Sequence, residues 1–240
     1  MMDTIKFVKG NVKVIAHRGL SGLEAQNTAS AFVAAGNRSY FGIETDVRRS
    51  SDGKYILIHN DTTKETGGDS LTVRNTSFQT LRSLRLLNTD GKRSRGDLMI
   101  PTLAEYIEIA KKYDKECVLE LKDAFTAEQV SEIFDEIRYL GYIDRTIFIS
   151  FFEKNLEYVR LKNKVQPVQF LTSGMDEKIF SLISENGYDL DIYHGAATPE
   201  LIKKCHDIGI LVNVWTVDSP TDAEKLVSYG VDMITTNILE

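Results

Sequence analysis

Cysteine is scarce in this chain. Cys117 and Cys205 are the only two in 240 residues, and no CxxC spacing joins them. Thiols so far apart are expected to be buried and reduced, neither paired nor metal-bound. Long apolar runs are missing too, since none approaches the roughly 20 residues that span a bilayer. The first ten residues lack the apolar core and small-residue cleavage site of a secretory signal, so a cytoplasmic protein is the expectation. Basic charge is not in excess: 29 Lys and Arg against 35 Asp and Glu give a formal net charge of −6. That balance argues against a nucleic-acid or anionic-membrane binder and leaves room for a local basic pocket for a small phosphate. There is no Gly-rich nucleotide loop, nucleophile elbow or zinc motif, and no internal repeat or low-complexity stretch.

What is present is an alternation. With 42% hydrophobic and 27% charged residues, the chain can bury a sizeable core. Apolar runs of strand length occur at 12–16, 42–47, 55–59, 117–121, 146–150, 168–171, 190–193, 211–215 and 233–235. Helical periodicity separates most of them, at 27–35, 103–113, 127–140, 153–161, 177–186, 199–208 and 221–229. Thr102 and Thr126 suit N-caps, and Gly141, Gly187, Gly209 and Gly230 suit C-caps. Alternating β and α over this length predicts a parallel sheet closed as a TIM (β/α)8 barrel, one domain over residues 1–240.

Nine strands are one too many. Ser50-Ser51-Asp52-Gly53 is a turn signal with no room for a crossover helix, so 42–59 is expected to be a hairpin. That turn brings His59 level with Glu44 and Asp46; alternatively the weak run 190–193 is the false strand. Residues 60–100 are polar, with one clear helical segment at 78–87, and are too long for an ordinary loop. They are expected to form a small insertion over the C-terminal face, where such barrels keep their active sites.

The chemistry gathers at strand ends. Glu44 and Asp46 are two apart in a strand-like run and share a face. Two like charges side by side are unfavourable unless a cation or a proton compensates. With Glu120 as a third oxygen donor, the natural occupant is one hard divalent cation, Mg2+ or Ca2+. Lys122, two beyond Glu120, is either a surface partner of that glutamate or a phosphate ligand beside the cation. A lone histidine closing an apolar run is ordinarily a satisfied core group. His17 and His59 both do so, and Arg18 follows the first. Phosphodiester hydrolysis needs a base for the nucleophile and an acid for the alkoxide, and imidazole serves for both. Arg18 offers a bidentate fork to phosphate, and Gly19 leaves space for a close backbone or ligand. Trp215 closes 211–215 as a core cap or an apolar wall for a substrate's alcohol moiety. His206 falls on a solvated helix face; His194 follows a weak strand and could line the mouth.

These residues resemble the glycerophosphodiester phosphodiesterase family. The resemblance runs through His17-Arg18-Gly19, Asn27-Thr28, Glu44-Thr45-Asp46, Asp52-Gly53, His59, Ile100-Pro101-Thr102-Leu103, Glu120-Leu121-Lys122, Trp215-Thr216-Val217 and the late run 230–236. It implies a TIM barrel with an insertion after the second histidine and a small-molecule glycerophosphodiester substrate. Glu44, Asp46 and Glu120 would hold the cation, His17 and His59 would be the acid/base pair, Arg18 and Lys122 would bind phosphate, and Trp215 would border the substrate. The products would be sn-glycerol 3-phosphate and an alcohol, with water or the substrate's own 2-hydroxyl as first nucleophile. Two positions depart from the pattern. Gln26 stands where a glutamate is usual, and Asn60 stands where an aspartate usually follows the histidine. The first alters charge behind the metal ligands and the second alters how His59 is oriented. Rival readings are a phospholipase-type barrel acting on lysolipids or phosphoinositides, which needs an apolar or basic rim near the insertion, and a catalytically silent phosphate-binding barrel.

Overall fold

Eight of the nine apolar runs pair in parallel and close on themselves in a computed structural model that describes residues 3–240. Met1 and Met2, the start of the stretch read for a signal, lie outside the described residues. In chain order the elements are β1 (Lys13–Ala16), α1 (Ala29–Gly36), β2 (Gly42–Arg49), β3 (Tyr55–Leu57), α2 (Lys64–Gly67), α3 (Phe78–Ser83), α4 (Leu103–Lys112) and β4 (Glu116–Leu121). They continue as α5 (Ala127–Tyr139), β5 (Thr146–Ser150), α6 (Glu153–Lys162), β6 (Val168–Thr172), α7 (Glu177–Asn186) and β7 (Asp189–Tyr193). The last are α8 (Pro199–His206), β8 (Val212–Trp215), α9 (Pro220–Tyr229) and β9 (Met233–Thr236). The sheet runs β1-β9-β8-β7-β6-β5-β4-β2, and a β1–β2 pairing closes it into a TIM barrel. The ninth strand, β3, pairs antiparallel with the far end of β2, Val47 opposite Leu57, so the surplus run is the hairpin arm. The 190–193 run is a true barrel strand, paired with β6 and β8. Among the described residues, no helix is long and apolar enough to cross a membrane.

Local chemistry explains the helix ends. Thr102 and Thr126 each accept from the backbone N–H three residues on, with Glu105 and Gln129 reaching back in full capping boxes. Pro199 and Pro220 open α8 and α9, where a missing N–H costs nothing. Gly187 and Gly230 end α7 and α9 with φ of 61° and 92°, a left-handed turn that side chains disfavour.

Strand alternation sorts the side chains into two sets. Ile43, Val47, Leu119, Leu121, Phe148, Leu190 and Val214 point outward into the main core beneath the helices. Ile15, Val118, Ile147, Ile149, Leu171 and Met233 fill the barrel interior. Because the side-chain period is two, Glu44, Asp46, Glu120, Asp191 and Asn213 follow the interior set. The polar members therefore enter a confined space by strand geometry alone.

Residues 60–100 leave the barrel between β3 and α4 and carry α2, a short 3-10 turn at Val73–Asn75 and α3. They bury Val73, Leu81, Leu86, Leu98 and Ile100 against Ile56, Ile58 and Ala25, a satellite core fused to the hairpin. The helix expected at 78–87 stops at Ser83. Leu84 turns extended (φ −64°, ψ 135°) and Leu86 N–H bonds Leu98 O at 3.0 Å, which buries Leu86 where a continued helix would leave it outside.

Candidate active site

Strand register assembles the acidic centre. Asp46 lies directly beside Glu120 across the β2–β4 ladder, and Ala16 beside Ile43 places His17 next to Glu44. Carboxylate oxygens of Glu44, Asp46 and Glu120 all lie within 4.8 Å of one another, and all three residues are buried. Burial and neighbouring Asp46 push the Glu44 carboxyl well above the usual range. Burial and Asp46 likewise push Glu120 up to about 8. Burial acts the same way on Asp46, yet Arg18, Lys122, His59 and a hydrogen bond from the Asn27 amide hold it below the usual range. Three buried carboxyls that resist carrying three charges form a site that a divalent cation would complete.

The donor set fits such an ion. Asp46 Oδ1 is buried with no hydrogen-bond partner among the described residues, while its Oδ2 accepts from Asn27 Nδ2 at 2.8 Å. Glu44 keeps one oxygen free of side chains and accepts from Arg18 N at 2.8 Å with the other. Lys122 Nζ sits 3.0 Å from both Glu120 oxygens and 3.6 Å from Asp46 Oδ1, supplying positive charge at the same spot. An all-oxygen, buried donor set suits Mg2+ or Ca2+ better than a soft metal.

The sequence HRG is shaped to deliver its parts. Arg18 has φ 54°, and its carbonyl accepts from Asn27 N at 3.0 Å. Gly19 (φ 76°) packs so closely on α1 that a Cβ there would lie 2.7 Å from Ala31 backbone carbon. The space it leaves is taken by backbone, one of the two options its sequence context offers. Arg18 spans the site, with Nε 3.5 Å from Asp46 Oδ2 and Nη1 donating to Gln26 Oε1.

Both histidines face the centre, each held from behind. His17 Nδ1 meets Asn237 Oδ1 at 2.7 Å, and Asn237 Nδ2 donates to Asp218 Oδ2 at 2.6 Å. His59 Nδ1 meets Asn60 Oδ1 at 2.7 Å, and Asn60 Nδ2 donates to Glu65 Oε2. Arg48, also on β2, fixes the His59 carbonyl through Nε at 2.9 Å and is itself anchored on Asp123. Burial, with Arg18 second, pushes His17 down to about 4. Burial lowers His59 too, but Asp46 is the next influence and acts against the shift. A pocket of about 200 Å3 joins both rings to Arg18, Glu44, Glu120, Lys122 and Trp215. Seven of the eight residues singled out from sequence line this pocket, and the eighth, Asp46, joins them through its carboxylate cluster with Glu44 and Glu120.

With that geometry in place, the pattern of the glycerophosphoryl diester phosphodiesterase family matches residues 17–240. The chain belongs to this family. A glycerophosphodiester phosphodiesterase of Caldanaerobacter subterraneus subsp. tengcongensis is 29% identical over 93% of each chain. The crystal structure of a glycerophosphodiester phosphodiesterase from Parabacteroides distasonis superposes with a TM-score of 0.78 at 27% identity, covering 96% of this chain and 94% of that one. A phosphodiesterase of Oleispira antarctica, solved with the product sn-glycerol-3-phosphate, shares the fold with a TM-score of 0.83 at 22% identity, covering 94% and 92%. Membership makes hydrolysis of glycerophosphodiesters the activity class of this chain.

Several members of this phosphodiesterase site were not found by sequence reasoning. Asp191, inward on β7, lines the pocket with Oδ1 unpartnered, and burial then Glu120 push its carboxyl well up. An acidic residue at an inward position of an apolar strand was the available signal. Asn237, Asp218, Arg48 and Glu65 act behind the pocket, and none carries a motif of its own. Trp215 donates Nε1–H to Asp191 O at 3.3 Å and meets Phe151 and Tyr193 edge-on at 5.9 and 6.0 Å, forming one aromatic wall. His194 instead opens on a separate cleft between α8 and α9, and His206 pairs with Asp232 at 2.9 Å on the outer surface.

Proposed function

We propose that the chain is a divalent-cation-dependent phosphodiesterase that cleaves a small glycerophosphodiester to sn-glycerol 3-phosphate and an alcohol, with His17 as base and His59 as acid. The observation that carries this reading is the buried Glu44–Asp46–Glu120 cluster between two pocket-facing imidazoles. Glu44, Asp46 and Glu120 would hold Mg2+ or Ca2+. When bound, the cation supplies Lewis-acid charge to a phosphoryl oxygen. Arg18 and Lys122 bind and neutralise the remaining phosphate oxygens. His17, kept neutral by burial, takes the proton of the attacking hydroxyl at Nε2, the ring nitrogen not engaged by Asn237. His59 gives a proton from Nε2 to the departing alkoxide as the P–O bond breaks. Water fits the attacking role directly; the substrate's 2-hydroxyl would give a cyclic phosphate that water then opens. Trp215, Phe151 and Tyr193 wall the substrate on one side.

We read residues 60–100 as an insertion within one catalytic domain, facing the same mouth. It meets the barrel across a cleft of about 760 Å3 that reaches His17 and Arg18. Against the lipid-acting alternative, none of the large exposed apolar side chains belongs to residues 60–100. Against the silent binder stands the full acid, base and carboxylate set. Release of glycerol 3-phosphate from glycerophosphodiesters, after chelation and with each metal restored, tests the reading. Full activity in excess chelator would reject the metal, and no release with either metal would reject the enzyme.

A further inference from the structure

We propose that Glu65, carried by the insertion, is a positioning residue that sets the direction of two amide side chains and through them orients Arg18 and the His59 ring. The proposal rests on the role given to His59 above. Glu65 Oε1 accepts from Gln26 Nε2 at 3.2 Å, and Oε2 accepts from Asn60 Nδ2. An ionised carboxylate only accepts, so both amides must turn their NH2 groups toward it and their carbonyl oxygens away. The Gln26 oxygen then meets Arg18 Nη1, and the Asn60 oxygen meets His59 Nδ1 at 2.7 Å. An oxygen facing Nδ1 requires that Nδ1 carry the hydrogen, which leaves Nε2 as the working nitrogen in the pocket. Were Asn60 reversed, its oxygen would face the Glu65 carboxylate, acceptor against acceptor, and its NH2 would face the ring, which could accept only by giving up the hydrogen on Nδ1.

Gln26 and Asn60 are the two places where the sequence departs from the family pattern, and Glu65 touches both. One carboxylate from outside the barrel fixes the sense of both amides. Glu65 is exposed to the cleft and forms no ion pair among the described residues, so its removal empties no core. The His17 side uses a like relay, Asn237 and Asp218, but Asp218 also accepts from Asn237 N at 2.8 Å and Thr236 Oγ1 at 3.0 Å. Glu65 is therefore the cleaner place to test the device.

The test is Glu65→Gln in the full-length protein with Mg2+. Glutamine turns its NH2 toward one of the two amide donors, so at least one amide loses its direction, and Glu65→Ala, which offers no acceptor, releases both. The expected result is a fall in kcat of about tenfold, with KM for the diester rising less. Ring 15N NMR at about pH 8, where an ordinary imidazole is neutral, should show His59 passing from one Nδ1–H tautomer to a mixture, with His17 unchanged. Adding Asn60→Asp to Glu65→Gln places an acceptor on Nδ1–H that needs no outside partner, and should restore kcat to within about threefold. Unchanged His59 tautomer in both Glu65→Gln and Glu65→Ala, or failure of the second substitution to rescue where the tautomer has become mixed, would overturn the proposal. If His59→Ala retains activity, the acid role fails, while the ring signal still decides whether Glu65 sets the tautomer.

Discussion

His17 and His59 are held by the same chain of groups, imidazole to asparagine to carboxylate, but the two chains are anchored in different kinds of structure. On the His17 side every link belongs to the barrel. His17 N bonds Thr236 O at 2.8 Å, Asn237 follows β9, and Asp218 follows β8 and accepts three hydrogen bonds. On the His59 side the ring ends a hairpin arm, and the final carboxylate, Glu65, sits on the four-residue α2 of the insertion. One arm is set by the sheet that defines the fold, the other by a satellite core that can be altered without opening the barrel. Placing the neutral ring on the rigid arm and the more readily protonated ring on the adjustable one separates two demands. On the roles proposed for them, His17 as base would need a fixed line to the phosphorus, whereas His59 as acid would have to meet alcohols of varied shape.

The largest effect should come from the element both arms share. Asp46 contacts Arg18 and Lys122, so Asp46→Asn removes the negative charge that the proposed metal site would use and unbalances two cations together. A loss of at least about 10^3-fold in kcat/KM is expected, equivalent to several kcal/mol of charge stabilisation. Isothermal titration with Mg2+ and Ca2+ should show weakened binding in parallel. Retention of wild-type metal affinity would remove Asp46 from the ligand set.

Next come the rings themselves. His17→Ala and His59→Ala should each cost about 10^2–10^4-fold in kcat, and the double variant far less than the product, since acid and base act as a unit. A nitrophenyl ester needs little help to depart, so it should rescue His59→Ala and leave His17→Ala impaired. Rescue in the reverse order would exchange the two roles. Near-normal kcat in either single variant with metal bound would end the two-histidine mechanism.

The arms should also differ in how they titrate. His17 is held down to about 4, against roughly 6.5 in an unfolded chain. Its folded pKa is depressed, so the native state binds fewer protons between those values. The contribution to stability is complete above about pH 6.5, falls with pH through the window and is gone below about pH 4. The size is about 3 kcal/mol, and comparison of urea midpoints for wild type and His17→Gln across pH 4–7, both in chelator, reads it as a difference in slope. Parallel slopes would mean that the ring is not held neutral.

How much of this was legible beforehand divides along the same line. The barrel, the hairpin and the pairs Glu44/Asp46 and Glu120/Lys122 followed from alternation along the chain and from Asp52-Gly53, because strand geometry fixes which side chains share a face, while His17, Arg18, His59 and Trp215 were marked by their places at or beside strand ends. The register that sets Asp46 beside Glu120 follows from closure and is invisible in either strand alone. The supporting polar groups were hidden for a different reason. Asn237, Asp218, Arg48 and Glu65 act through hydrogen bonds made across 5 to 220 positions of sequence, and no local pattern encodes such a pairing. The satellite core was missed because Val73, Leu81, Leu86 and Leu98 are spaced irregularly among polar residues. Its apolar face exists only once β3 supplies Ile56 and the following strand end supplies Ile58.

The smallest effect on catalysis should come from loosening that satellite core. Leu98 is fully buried in the cluster it shares with Leu86, Ile56 and Ile58, separate from the cluster that fills the barrel interior. Leu98→Ala leaves a cavity that costs about 2–5 kcal/mol locally. Because residues 60–100 form their own apolar cluster, the cost should appear as local opening and spare the barrel from global unfolding. Amide hydrogen exchange should therefore quicken across 60–100 and at Ile58, while β1 and β9 amides keep their protection. With Glu65 mobile, Asn60 loses its constraint in a fraction of molecules, and kcat should fall only a few-fold. The fall should be steeper for alcohols that are poor leaving groups, since only the acid arm has been disturbed. Equal losses for good and poor leaving groups, or faster exchange in β1 and β9, would show that the two arms are one mechanical unit and that the His59 side has no independence from the barrel.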